Sequence, residues 1–229
     1  MSTKRARKVG PRAPEPGELR QQILRASIEL IEDEGLAKLS MREVARRAGV
    51  THQAPYHYFA DREAILGEIA EEGFRLLTQR MERAVGDEAG PQSIAQRLTA
   101  MGRAYVEFAC AHPAHFRIMF RPELVNMERC PGAEAQGDLA FCTVTRVVHE
   151  AVEAGLPAVP SEAALVATLW SFAHGLACLI LDGPLAKKQD AGVDIQISDV
   201  LLSLQAMLEA SLAHAGAAQP TRQGKLRSG

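Results

Sequence analysis

The chain has 229 residues, a formal net charge of −2, 47% hydrophobic and 24% charged residues. The near-neutral total excludes a nonspecific, charge-driven nucleic-acid binder, and four cysteines without C-x-x-C spacing exclude a disulfide framework. That total conceals a division: residues 1–62 hold 12 Lys and Arg against 8 Asp and Glu, a net +4, whereas residues 63–229 hold 14 against 20, a net −6.

The first 17 residues read as a basic arm. Lys4, Arg5, Arg7, Lys8 and Arg12, interspersed with Pro11, Pro14 and Pro16, bury no apolar surface and are expected to be disordered when free. Such an arm is either a solubilising tail or a segment that lies along phosphates or enters a minor groove. No apolar run follows it, so it does not read as a secretory signal, and the cytoplasm is the expected location.

Ser40 and Glu43 stand in the S-x-x-E relation of a capping box, which predicts a helix starting at Met41. Met41, Val44, Ala45 and Ala48 then recur at i, i+3, i+4 and i+7, with Arg42, Arg46 and Arg47 off the stripe. Gly49 ends this helix, because glycine accepts the left-handed backbone of a tight turn. Thr51 offers a hydroxyl to cap a second short helix, predicted over roughly residues 52–59. Two short helices joined by a glycine turn form a helix-turn-helix, which directs attention to DNA. Pro55 conflicts with this reading. It lacks an amide proton and crowds the carbonyl four residues back, so either one helical bond is missing or the helix starts about a residue later.

The stretch from about Leu19 to Leu66 resembles the DNA-binding domain of the TetR family of transcriptional repressors. Its carriers are Ile23-Leu24-Arg25-Ala26 and Glu34-Gly35, the run from Ser40 to Thr51, then Tyr56-His57-Tyr58-Phe59 and Asp61-Arg62-Glu63-Ala64-Ile65-Leu66. Pro55 departs from the pattern, which usually places Leu or Ile there. The resemblance implies an all-α protein: an N-terminal three-helix DNA-binding domain, here residues 18–62, and a larger helical domain, residues 63–214, that binds a small-molecule effector and pairs into a homodimer. The implied partner is a double-stranded DNA operator. Within the head, Arg42, Tyr56 and Arg62 are expected on phosphates. Thr51, His52, Gln53 and Ala54 stand at the front of the second helix, where Gln can pair with adenine, His can donate to guanine and Ala can touch a thymine methyl. His57 suits either role, and Tyr58 and Phe59 read as core.

Helical patterning continues behind the head. Asp61 can cap a long helix to about Val85, ended by the polar break from Gly86 to Pro91. Further helices are predicted over residues 92–111, 113–120, 134–154, 161–181 and 195–213, with a disordered tail over 215–229. Residues 163–181 carry no formal charge, close to the length of a membrane span, but Ala, Thr168, Ser171, His174 and Gly175 dilute the segment and Glu162 and Asp182 flank it. Burial between subunits accounts for it better than a membrane does. Dimerisation is therefore expected through residues 161–181 and 195–213, the latter with Ile197, Leu201, Leu204 and Leu208 on an apolar face.

Trp170, His174 and Gly175 form a W-x-x-x-H-G pattern that resembles the C-terminal domain of one TetR subgroup, as does the run from His112 to Phe120. Trp170 and His174, four apart, meet on one helix face. They are either ordinary core or the wall of an effector cavity, with Phe108, Phe116, Met119, Phe120, Phe141, Thr145 and His149 as companions, since aromatic and Met side chains make adaptable apolar walls. The effector is accordingly expected to be largely apolar. Cys110, Cys130, Cys142 and Cys178 read as reduced, mostly buried thiols. Cys110, His112 and His115 cluster in sequence and offer a metal- or redox-responsive alternative, although Pro113 breaks their helical phase. No phosphate loop, G-x-S-x-G elbow or H-E-x-x-H occurs. No enzyme, cofactor or metal is therefore implied, and a helical enzyme or interaction module stands as the remaining alternative.

Overall fold

The computed structural model describes residues 16–86, 93–190 and 195–218, and among these the chain is helical with no strand. The basic residues of the arm, from Lys4 to Arg12, the break at residues 87–91 and the end of the tail lie outside the described residues.

The head is built from α1 (Pro16–Glu34), α2 (Met41–Ala48), a four-residue 3-10 turn (Ala54–His57) and the first turns of α3 (Arg62–Gly86). Ile23 and Leu30 of α1, Val44 of α2 and Ile65 and Ile69 of α3 are wholly buried together. At about 1.5–3 kcal/mol for each aliphatic side chain removed from water, this cluster holds together helices too short to persist alone. Arg20 of α1 fastens the rear: its guanidinium makes two 2.6 Å bonds to Glu68 and lies 5.3 Å from the Phe59 ring centre.

The body wraps the rest of α3. Its buried face, through Phe74, Leu77 and Met81, packs against α4 (Ile94–Ala111), α5 (Pro113–Met119) and α6 (Pro131–Glu153). Helix α4 in turn carries α7 (Glu162–Leu181) and α9 (Ile197–Ala218), and α8 (Pro184–Asp190) follows α7. Ser93 and Gln96 close a complete capping box on α4, whereas on α2 Ser40 Oγ accepts from Glu43 N at 3.2 Å while the Glu43 carboxylate turns to Arg46.

Several expectations are corrected. Residues 16 and 17, assigned to the disordered arm, open α1, and residues 215–218, assigned to the tail, extend α9. A further helix starts at Pro184, between those predicted over residues 161–181 and 195–213, because Pro at the first helical position gives up an amide that would have had no partner. The cysteines are not mostly buried: Cys110 and Cys142 are exposed and Cys130 and Cys178 half-buried, all as free thiols. Helix α7 is apolar, with mean hydropathy 1.9 and 22% of the residues in its apolar window fully buried within this chain; a single helix of this length and composition does not mark a membrane protein, in line with the expectation.

Candidate DNA interface and effector cavity

The glycine turn between the two helices of the head is closed by backbone bonds. Gly49 takes φ 67°, its N–H bonds the Arg46 carbonyl at 3.2 Å, and Val50 N–H bonds the Ala45 carbonyl at 3.0 Å. This paired closure takes two of the four carbonyls that α2 would otherwise leave open, and Gln22 Nε2 donates to a third, that of Ala48, at 2.8 Å. The next element differs from the predicted helix over residues 52–59. The Thr51 carbonyl, denied a proton by Pro55, accepts instead from Ala54 N–H at 3.0 Å, and the backbone tightens into the 3-10 turn at Ala54–His57. Pro55 thereby falls inside the first turn, where its missing donor is tolerated, and its carbonyl receives both Tyr58 N–H and Phe59 N–H. Thr51 does not cap: Gln53 occupies the position before the turn, and no side-chain cap bond forms.

This geometry sorts the candidate DNA contacts. Thr51, His52, Gln53, Tyr56 and His57 are exposed on one polar ridge, with Tyr56 46% exposed and its ring 6.0 Å from that of His52. Ala54 and Pro55 face inward, and Ala54, only 8% exposed, is not available to a base edge. Phe59 is buried and Tyr58 packs against the core. Arg42 is exposed on α2, whereas Arg46 and Arg47 are held by Glu43 and by Asp33 with Glu34. Arg62 departs from its expected outward position. It is half-buried, and its Nη2 donates to the Leu36 carbonyl at 3.1 Å, so it ties α3 to the α1–α2 connection.

Between α3, α4, α6 and α7 lies a cavity of about 380 Å³. Helix α3 supplies Phe74, Leu77 and Met81, α4 Tyr105, α6 Asp138, Phe141 and Val144, and α7 Trp170; Met119, Phe120 and Met127 close the side toward α5. Trp170 and His174 converge on one atom. The Tyr105 hydroxyl accepts from Trp170 Nε1 at 3.4 Å and lies 2.9 Å from His174 Nδ1. Burial pushes the Tyr105 phenol up from its ordinary pKa and pulls the His174 imidazole down, so the group is neutral around pH 7.

Of the residues expected in such a cavity, Met119, Phe120, Phe141 and Trp170 line it. Phe108 is instead wholly buried, stacked on His112 at 5.2 Å. Phe116 and His174 border a separate, smaller cavity with Arg117 and Arg121. Thr145 returns its hydroxyl to the Phe141 carbonyl, and His149 is exposed beside Glu153 and Glu162. Tyr105 was missed, although it lies on α4 at positions whose burial a helical repeat could have shown. Of Cys110, His112 and His115, the two imidazoles meet edge-on with ring centres 5.5 Å apart and His115 is buried 3.6 Å from Glu72, but Cys110 is exposed to solvent, and no group of three metal-ligating side chains forms among the described residues.

Two family models match the chain. One, described as bacterial regulatory proteins of the tetR family, covers residues 23–69, and the other, a tetracyclin repressor-like C-terminal domain, covers residues 98–200. The chain belongs to the tetR family. A curated relative, the HTH-type transcriptional regulator Rv1816 of Mycobacterium tuberculosis, is 26% identical over 152 residues, which span 65% of this chain and only 62% of that protein's length. A solved protein of unknown function from Rhodococcus sp. RHA1 is 29% identical with a TM-score of 0.66, covering 86% of this chain and 95% of that one. AibR, solved with isovaleryl coenzyme A and operator DNA, shares the fold at 18% identity and a TM-score of 0.63, over 83% of this chain and 98% of that one. The chain is a member of the tetR family of bacterial regulatory proteins, with a helix-turn-helix domain in front of a helical C-terminal domain.

Proposed function

We propose that this tetR-family regulator is a repressor: a cytoplasmic homodimer that holds a palindromic operator and releases it when a small, largely apolar effector fills the cavity between α3, α4, α6 and α7. One observation carries the reading. A single helix, α3, leaves the polar ridge at Arg62 and becomes a wall of the cavity from Phe74 to Met81. At about 1.5 Å per residue the two ends of this link are roughly 18 Å apart, a span that one rigid helix covers.

Repression requires the two ridges of a dimer to enter successive major grooves about 34–36 Å apart. An effector that binds one separation better than another shifts the equilibrium by that difference in affinity. The exposed apolar surface of α7 and α9, with Leu179, Leu202 and Met207 each about half exposed, supports pairing through these helices. That AibR was solved with both an acyl coenzyme A and operator DNA supports the coupling of one cavity to one DNA interface on this fold.

The division of labour on the ridge is tested by two substitutions. Gln53→Ala should change base preference at one operator position by about 1–3 kcal/mol. Arg42→Ala should weaken all duplexes alike and lower the salt slope by about 1. Identical behaviour of both variants across a panel of operator mutants would contradict the assignment.

A further inference from the structure

We infer that the cavity selects an apolar organic cation, a quaternary or protonated amine on a hydrocarbon body. The inference rests on reading this cavity as the effector site and adds the charge of the ligand.

The walls are aromatic from several directions. Phe120 meets Phe74 at 5.5 Å and 83°, Trp170 at 6.1 Å and 52°, and Tyr105 at 6.4 Å and 34°, while Phe141 meets Trp170 at 6.1 Å and 68°. Rings so inclined pack on one another into a continuous wall beside the cavity, and a cation placed over a ring face on that wall is attracted by its quadrupole. Among the lining residues the one formal charge is negative: Asp138. It lies three residues before Phe141 on α6, and hence on the same face, and no ion pair occupies its carboxylate among the described residues.

The polar atoms inside are already committed. Trp170 Nε1 donates to Tyr105, and the Tyr105 hydroxyl is shared with His174. Whether the Tyr105 hydroxyl donates to His174 Nδ1 or the neutral imidazole's Nδ1–H donates to the hydroxyl, neither ring brings a positive charge to the cavity. A carboxylate or phosphate entering it would lose hydration without compensation and would meet Asp138. The nearby guanidinium groups of Arg117 and Arg121 open on a different cavity of about 150 Å³, behind Phe120 and His174. A cation gains both the ring faces and the carboxylate, and the volume of about 380 Å³ is within the range of small-molecule sites.

Trp170 is the one tryptophan in the chain, so its fluorescence reports on this wall directly. Decyltrimethylammonium, decanol and decanoate, each below its micelle-forming concentration, are titrated into the full chain and into Asp138→Asn; Asp138 is exposed, and the change should leave the fold intact. The cation should bind about tenfold or more tightly than decanoate, and Asp138→Asn should weaken the cation about fivefold while leaving decanol unchanged. Equal or tighter binding of decanoate, or an undiminished cation preference in Asp138→Asn, overturns the inference. If decanol and decanoate bind while the cation does not, the cavity remains the effector site and its charge preference is wrong. If none of the three perturbs Trp170 or loosens DNA, the effector reading fails as well.

Discussion

At the scale of single residues, local chemistry and tertiary position divide what was readable. Ser40 as a cap and Gly49 as a left-handed terminator follow from rules that act within five residues, and both are in place. The roles of Ala54, Arg62 and Tyr105 depend on what lies across the fold, which no short pattern contains. Arg62 illustrates the difference. Its position at the start of a helix suggested a phosphate contact, but its guanidinium reaches the Leu36 carbonyl, 26 residues away. Arg62→Ala should therefore cost about 1–2 kcal/mol of stability in urea unfolding, with the salt slope of DNA binding unchanged; a lower slope at full stability would restore the phosphate role. Tyr105→Phe leaves Trp170 Nε1 and His174 Nδ1 without their shared partner. It should lower stability by about 1–3 kcal/mol and shift the emission of Trp170, and a silent change in both would show that the hydroxyl does not organise the wall.

At the scale of elements, helices with strong caps and an apolar stripe were legible, and the exception is physical. Residues 52–59 carried a cap candidate and a place in a family pattern, yet Pro55 redistributed the backbone bonds into a 3-10 turn. The coil survives in shorter form because Pro falls at its start. A second coupling element was invisible in sequence: the loop with Met127, Arg129 and Cys130. Met127 touches the cavity, Arg129 pairs with Glu63 and lies 3.5 Å from Asp61 at the start of α3, and Cys130 packs on Gly67 so closely that any added Cβ would collide with its sulfur. The loop thus joins the cavity wall to the helix that leaves the DNA ridge. Arg129 is exposed, so its ion pairs add little stability. Arg129→Ala should leave folding and effector affinity nearly unchanged while reducing effector-driven DNA release by about 3- to 30-fold. The check is DNA affinity measured with and without a ligand that perturbs Trp170; full release in the variant would remove the loop from the path.

At the scale of the whole molecule, charge and apolar surface are segregated. The net positive front and negative body were countable in the sequence, the positive excess resting on Lys4 to Arg12, outside the described residues; the structure adds a polar ridge at one end, and apolar faces of α7 and α9 toward solvent in a single chain. Membrane-like hydropathy in α7 was legible as a length of uncharged residues, but only the packing shows which of them, Leu179 among them, this chain leaves exposed. Apolar patches of this kind mark association surfaces. The proposed repressor needs that association, since one ridge reads half of a two-fold site. The most direct test is a fluorescence-anisotropy titration of the full chain on a duplex from the DNA upstream of its own gene, against a scrambled duplex and across a range of salt. The account predicts two chains per duplex, preference for the upstream sequence, and a log–log salt slope of about −4 or steeper, as roughly four or more neutralised phosphates produce. Equal binding to both duplexes, or none at low ionic strength, would contradict it.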